Sequence, residues 1–247
     1  MISAAWGLGV GGQLAAAFVK GAIGFGFPTV ATPLLALATD VRTAVVVLLI
    51  PNIVMDTVQA VRHPGLRPAA RRHAGLIVTG IVGTVLGTQF LMIVSPRVLL
   101  ALLGAVVLAG VLVSLARPTW RVPARWEPVT SPVVGLVVGV LGGVTNVPGT
   151  PLALYFHALG LAKAEFVRAL ALTFLVFKAV QLGAIWQVGL LEPRLLGLSV
   201  GATVVSLVAF RLGLWAQDRV PAEMFQRAVL SFLGVLSVAM LLRALWR

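Results

Sequence analysis

Few residues of this 247-residue chain could do chemistry, and several of them sit where charge is costly. Lys178 lies inside the apolar run ALTFLVFKAVQLGAIW, and Asn52 and Asp56 lie in LLIPNIVMDTVQ. An ammonium group near the centre of a membrane helix costs at least about 2.5–3.5 kcal/mol, so it faces a cavity or a partner. Lys178 is read as the counter-charge for an anion, with Asn52 as a hydrogen-bond donor beside it. The competing reading is an ion pair between Lys178 and Asp56 that closes the bundle. Asp56 is one turn beyond Asn52; it could take up a proton for coupled transport, or pair structurally near Arg62. Gln59, Gln181 and Gln187 are candidates for lining a cavity, and Lys20, next to Gly21, has no clear role.

Other polar groups fall on two broken stretches, GAIGFGFPTVATPLL (21–35) and GVLGGVTNVPGTPLALYF (139–156). Glycine and proline cost about 1 and 3 kcal/mol against alanine in a helix interior, so both stretches should interrupt helices. Irregular backbone at membrane depth is tolerated only where protein or a watery cavity satisfies it. A break also frees the first N–H groups of the following half-helix, whose dipole favours anions. Half-helices starting near Thr29 and near Val147 could aim both positive ends at one site. Gly24, Gly26 and Gly143 would let a small ligand approach the backbone. Thr29, Thr32, Thr145, Asn146 and Thr150 would supply hydrogen bonds, unless the threonines bond back to helix carbonyls.

Catalysis finds little support. There are no cysteines, and the three histidines, His63, His73 and His157, form no HExxH or other metal-ligand pattern. No nucleophile–base pair stands out. The reading is therefore a non-enzyme with no catalytic residue, no metal and no cofactor.

The elements that must position these residues follow from composition. The chain is 60% hydrophobic and 11% charged, far from the roughly 25% charged of soluble domains. It reads as an all-α polytopic membrane protein with the lipid bilayer as its solvent. The segment MISAAWGLGVGGQL lacks the basic start of a secretory signal. Apolar runs fall at about 41–60, 74–94, 98–116, 166–187, 195–216 and 225–246, beside interrupted elements at 2–39 and 131–162. Gly80, Gly83 and Gly87 suggest close helix packing. Trp6, Trp120, Trp126, Trp186, Trp215 and Trp246 lie mostly near run ends, as interfacial anchors do.

The chain is duplicated. Gly21 to Gly24 aligns with Gly139 to Gly142, and Thr32-Pro33-Leu34 with Thr150-Pro151-Leu152, both at an offset of 118. After an eight-residue insertion Arg42 aligns with Arg168, Asn52 with Lys178 and Gly75 with Gly201. A first repeat at 1–116, a cytoplasmic linker at 117–130 and a second repeat at 131–247 follow, each repeat with a broken or re-entrant element plus three transmembrane helices. The 61–73 loop carries Arg62, Arg67, Arg71 and Arg72, whereas its counterpart at 188–194 carries Glu192 and Arg194. If each broken element goes in and returns, the halves are inverted. Twelve Lys and Arg residues, among them Arg117, Arg121, Arg219 and Arg227, then lie inside. Arg42, Arg97, Arg194, Arg243 and Arg247 lie outside. Straight passage through the breaks gives ten and seven, a poorer fit to the positive-inside rule. Arg42 and Arg168 begin equivalent helices and read as interfacial snorkellers before they read as anion attractors. The net charge of +12 thus serves orientation, and no nucleic acid partner is expected.

With both glycine-rich stretches and a length near 250 residues, the chain resembles the TauE/SafE family of membrane transporters over essentially its whole length. That resemblance implies a small sulfur-containing anion as substrate, sulfite or an organosulfonate, most often exported, across a bacterial cell inner membrane. The repeats imply alternating access around a midplane site. A coupling ion, proton or sodium, and a homodimer are compatible with this reading. An anion channel with the same site is the nearest alternative, and an intramembrane enzyme or assembly factor the alternative of a different class.

Overall fold

The computed structural model describes the backbone of residues 2–62, 64–116, 120–217 and 222–246, and the side chains of 10–62, 64–116, 120–217, 231 and 233–246. His63, Arg117, Arg219 and Arg247 lie outside the described residues, as do the side chains of Trp6 and Arg227. Every element among the described residues is helical. The first half comprises α1 (Ile2–Ile23), α2 (Phe27–Ala38), α3 (Val41–Val61), the short α4 (Leu66–Arg72), α5 (Ala74–Ile93) and α6 (Pro96–Ala116). A 3₁₀ turn at Ala124–Trp126 leads to α7 (Glu127–Thr145), α8 (Gly149–Ala158), α9 (Lys163–Gln187), α10 (Pro193–Ala216) and α11 (Ala222–Trp246). The second broken element thus starts at Glu127, inside the stretch read as linker. Among the described residues six helices are long and apolar enough to cross a membrane: α3, α5, α6, α7 with its 3₁₀ turn, α9 and α10.

Both breaks are present. Gly24 and Gly26 take φ of 92° and 101° between α1 and α2, a conformation that glycine adopts without penalty. Proline in the first turn of α2 sacrifices no helical hydrogen bond. The second break is made differently: Asn146, at φ 63°, caps the end of α7. Ile23 to Thr145 and Phe27 to Gly149 are each 122 residues, so the junctions correspond at 122 rather than at the 118 of the sequence alignment.

Each broken element folds back on itself. The Tyr155 hydroxyl of α8 lies 3.0 Å from Thr130 Oγ1 and 2.7 Å from Ser131 Oγ at the start of α7. The Val122 N–H donates to Ala158 O at the end of α8 (3.0 Å). Gly12 of α1 likewise abuts the Leu34 side chain of α2. Twelve and ten residues give α2 and α8 lengths of about 18 and 15 Å, too short to cross about 30 Å of hydrocarbon alone.

The halves interlock through glycine. On α5, Gly80, Gly83 and Gly87 are buried, while Val78, Val82, Leu86 and Phe90 are exposed at helical spacing on the opposite face. A Cβ at Gly83 would strike Leu136 O of α7, and one at Gly87 would strike Val140 O. Gly135, Gly139 and Gly143 of α7 answer with close approaches to Leu76, Gly80 and Thr84 of α5. A second seam joins Gly21 of α1 to Phe210 and Gly213 of α10. Helix contacts recur in exchanged pairs: α1 with α10 and α7 with α5, α3 with α10 and α9 with α5, α2 with α11 and α8 with α6. Backbones meet because small residues allow it, which is how apolar solvent permits helix association. Trp126, Trp186, Trp215 and Trp246 are exposed near helix ends, as interfacial anchors should be.

Arginines close several helix ends. Arg42 donates to Leu91 O, Met92 O and Val94 O (2.7–2.8 Å) at the end of α5. Arg97 reaches Ala244 O (2.6 Å) of α11, and Arg243 reaches Leu37 O (2.5 Å) of α2. Arg168 instead donates to Pro64 O in the loop between α3 and α4. Cations at helix C-termini satisfy free carbonyls and the dipole together. Elsewhere Arg72 pairs with Glu127 through two contacts of 3.1 and 3.2 Å, and this hydrogen bonding raises the guanidinium pKa further. Burial, and then Arg72, hold the His73 imidazole below its usual range.

The seam predicts an asymmetry between glycines. Gly83→Leu should lower thermal stability in detergent by on the order of 1–3 kcal/mol or prevent folding, as overpacking does. Gly183→Ala, whose new Cβ would meet no heavy atom within 4 Å, should leave the unfolding midpoint unchanged or raise it. Equal midpoints for both variants would contradict the seam.

Candidate functional site

The starts of α2 and α8 lie side by side. A Cβ on Gly149, the first residue of α8, would be 3.3 Å from Thr29 Oγ1 in the first turn of α2. Asn146 Nδ2, at the second break, donates to Thr32 Oγ1 (3.1 Å) of α2. The two half-helices begin at Phe27 and Gly149, two residues from the expected starts at Thr29 and Val147. Their first N–H groups, with Pro28 and Pro151 lacking one, carry the positive ends of both dipoles.

Three charged side chains are fully buried, on α1, α3 and α9: Lys20 (0% exposed), Asp56 (0%) and Lys178 (1%). Lys20, three residues before the end of α1, donates to Asn52 Oδ1 (2.9 Å) and to Asp56 Oδ1 (2.5 Å). Gln59 Nε2 donates to the Lys20 carbonyl (3.1 Å). The Lys20 ammonium also stands 5.8 Å from the centroid of the Phe174 ring on α9, within cation–π range. Lys178, on the same face of α9 as Gln181, donates to Gln181 Oε1 (2.8 Å) and to Asn146 Oδ1. Gln181 Nε2 in turn donates to Gly143 O (3.0 Å). Lys178 is close enough to Asp56 and Lys20 to interact with both electrostatically. Among the described residues, however, the only carboxylate within ion-pair distance of either buried ammonium is Asp56, on Lys20.

The ion pair anticipated between Lys178 and Asp56, or between Asp56 and Arg62, is therefore made by Lys20. The sequence alone assigns Lys20 no role, because its partner is 36 residues away and no local spacing reveals the pair. The signal was the charge balance: two lysines and one aspartate inside apolar runs. The buried cluster carries two ammonium groups against one carboxylate, one positive charge in excess. Several polar atoms around it are buried without a hydrogen-bond partner: Thr29 Oγ1, Asn52 Nδ2, Asp56 Oδ2 and Gln59 Oε1. Buried polar atoms are normally satisfied, so these orphans mark a place suited to a polar ligand.

Of the residues singled out from sequence, Thr29, Thr32, Asn52, Asp56, Asn146 and Lys178 come together here, with Gly24 and Gly26 shaping the backbone beside them. Gly143 contributes its carbonyl to Gln181, while its Cα packs on α5. Thr145 bonds back to Leu141 O (2.7 Å) and accepts from Val147 N (3.2 Å). Thr150 Oγ1 faces Gly110 of α6, away from the cluster. Arg42 and Arg168 are held by carbonyls, as described above. A cavity of about 250 Å³ does exist, but at the ends of α2, α3, α6 and α11, lined by Thr39, Asp40, Arg97 and Arg243 among others. Its arginines are engaged in capping, so the buried cluster, closed to solvent, carries the stronger claim to an anion.

Removing one member of a buried pair costs about 3–5 kcal/mol, because the other charge is left uncompensated. Asp56→Asn should therefore destabilise the purified protein by roughly that amount, read as a loss of thermal stability in detergent. The double variant Lys20→Met with Asp56→Leu should recover most of it. A single Asp56→Asn variant as stable as the parent would show that the pair does not hold the first half.

Residues 9–240 match the family model described as Sulfite exporter TauE/SafE. No curated protein and no solved structure matches the chain. The match spans both broken elements and nearly every helix of this membrane fold, so the chain belongs to the sulfite exporter TauE/SafE family.

Proposed function

We propose that the protein is a secondary transporter that moves a small sulfur-containing anion, sulfite or an organosulfonate, outward across the bacterial inner membrane. The observation that carries this reading is Lys178: a buried ammonium held by two neutral amide oxygens, one of them from Asn146 at the second break, which is itself bonded to Thr32 of α2. Placing a charge there without a counter-ion is expensive. An anion at this position supplies the missing charge and meets the free N–H groups of α2 and α8. Asn52 Nδ2 and Thr29 Oγ1, both buried without a partner, are the side-chain donors available to its oxygens.

The exchanged helix contacts and the two returning elements support an arrangement of inverted repeats about a central site. In that arrangement Arg42, Arg97 and Arg243 lie on the outer face as helix caps, which explains why they depart from the positive-inside bias. The cluster is closed on all sides by packed helices, which favours a carrier that rocks between two open states over a channel with a continuous path. Asp56 is committed to Lys20, which favours a structural counter-ion over a proton carrier.

Sulfite flux in proteoliposomes tests the reading. The parent protein should transport sulfite, and Lys178→Met should reduce flux at least about tenfold with unchanged protein yield, as loss of an intramembrane functional charge does. Undiminished flux in Lys178→Met would remove Lys178 from the site and overturn the proposal.

A further inference from the structure

The buried cluster contains two related units, each a lysine that donates to an asparagine and to a second side-chain oxygen. In the first half Lys20 of a broken element donates to Asn52, near the middle of α3. In the second half the partners are exchanged: Lys178, on α9, donates to Asn146 of the broken element. Lys20 to Asn146 and Asn52 to Lys178 are each 126 residues. Relative to the helix junctions this sets Lys20 and Asn146 one turn apart, which keeps them on corresponding faces. The first unit also has a carboxylate, Asp56, one turn beyond Asn52 on α3. The residue 126 further on is Leu182, one turn beyond Lys178 on α9, and the second acceptor on Lys178 is the neutral Gln181 Oε1 (2.8 Å) instead of a carboxylate.

From this we infer that the second unit takes a singly charged oxyanion, and that Asp56 is its resident counterpart in the first. Asp56 is a monoanion that puts one oxygen on a lysine ammonium and leaves its second oxygen unpartnered. A sulfonate, bisulfite or carboxylate group at Lys178 reproduces that arrangement. With one such anion bound, two ammonium groups face two negative charges and the buried cluster is neutral. A dianion would leave one negative charge with no side-chain counter-charge, only the partial charges of the helix ends, and burial discriminates against it. This inference rests on the proposed function for the location of the site. It adds the charge of the ligand and names Leu182 as the residue whose lack of charge keeps the site available.

Ligand-induced thermal stabilisation of the purified protein, at constant ionic strength, tests it independently of transport. The probes are methanesulfonate, a monoanion at every accessible pH, and sulfate, a dianion near neutrality. The parent should bind methanesulfonate at least about tenfold more tightly than sulfate. Leu182→Asp places a carboxylate on the Lys178 face one turn away; it should lose the methanesulfonate response and sulfite flux together. Leu182→Asn should keep both to within about threefold, since it adds polarity without charge. Equal or tighter sulfate binding by the parent overturns the inference whether or not either variant folds. So does a Leu182→Asp protein that responds like the parent, or a Leu182→Asn protein that loses as much as Leu182→Asp. Methanesulfonate preference without sulfite flux in the parent would refute the transport proposal while upholding the monoanion site.

Discussion

An ammonium group buried among helices without a counter-ion is the constraint on which this structure turns. Lys178 sits on α9 with only amide oxygens on its nitrogen, and among the described residues the one fully buried carboxylate, Asp56, is already bound to Lys20. Such a charge is strongly unfavourable unless its surroundings supply negative potential. The fold supplies oriented carbonyl oxygens from Asn146 and Gln181, and these are held in turn by Thr32 and by the Gly143 carbonyl. It stops short of supplying a charge. The same constraint makes the backbone breaks intelligible. A continuous helix would spend these N–H groups on its own carbonyls, whereas a break frees them at the starts of α2 and α8.

The glycine seams serve this arrangement from a distance. Close approach of α5 to α7 and of α1 to α10 fixes the broken element of each half against a long helix of the other. Asn146 and Thr32 meet across that arrangement, joining the second break to the first half-helix. The site is therefore a property of the interface between halves, and neither half contains it alone. Arginines cap the C-terminal ends of α2 and α5, which belong to these elements, and of α11.

Much of this was legible in the sequence, because apolar run length and helix-breaking residues are local signals. The long helices start and stop within a few residues of the apolar runs, and both breaks occur where glycine and proline accumulate. Lys178 and Asn52 stood out because polarity inside an apolar run needs no structure to be seen. The register between the breaks was four residues off for a physical reason. Gly21 and Gly139, which anchored the alignment, are both seam glycines selected by packing, while the backbone turns at Gly24–Gly26 in one half and at Asn146 in the other. The hydroxyls of Thr145 and Thr150 looked equivalent to those of Thr29 and Thr32 in composition, but helix rotation directs them to Leu141 and to α6. Lys20 was obscured because its partners lie on another helix, and pairing across helices leaves no trace in local spacing.

The central claim, that Lys178 and the two half-helix starts hold the anion, is tested most directly by locating a heavy anion. Selenite, the heavier homologue of sulfite, scatters anomalously at the selenium edge. Crystals of the protein grown with selenite should show an anomalous peak at hydrogen-bonding distance of Lys178 Nζ, between the starts of α2 and α8. A peak confined to the cavity lined by Arg97 and Arg243, with none beside Lys178, would contradict the account.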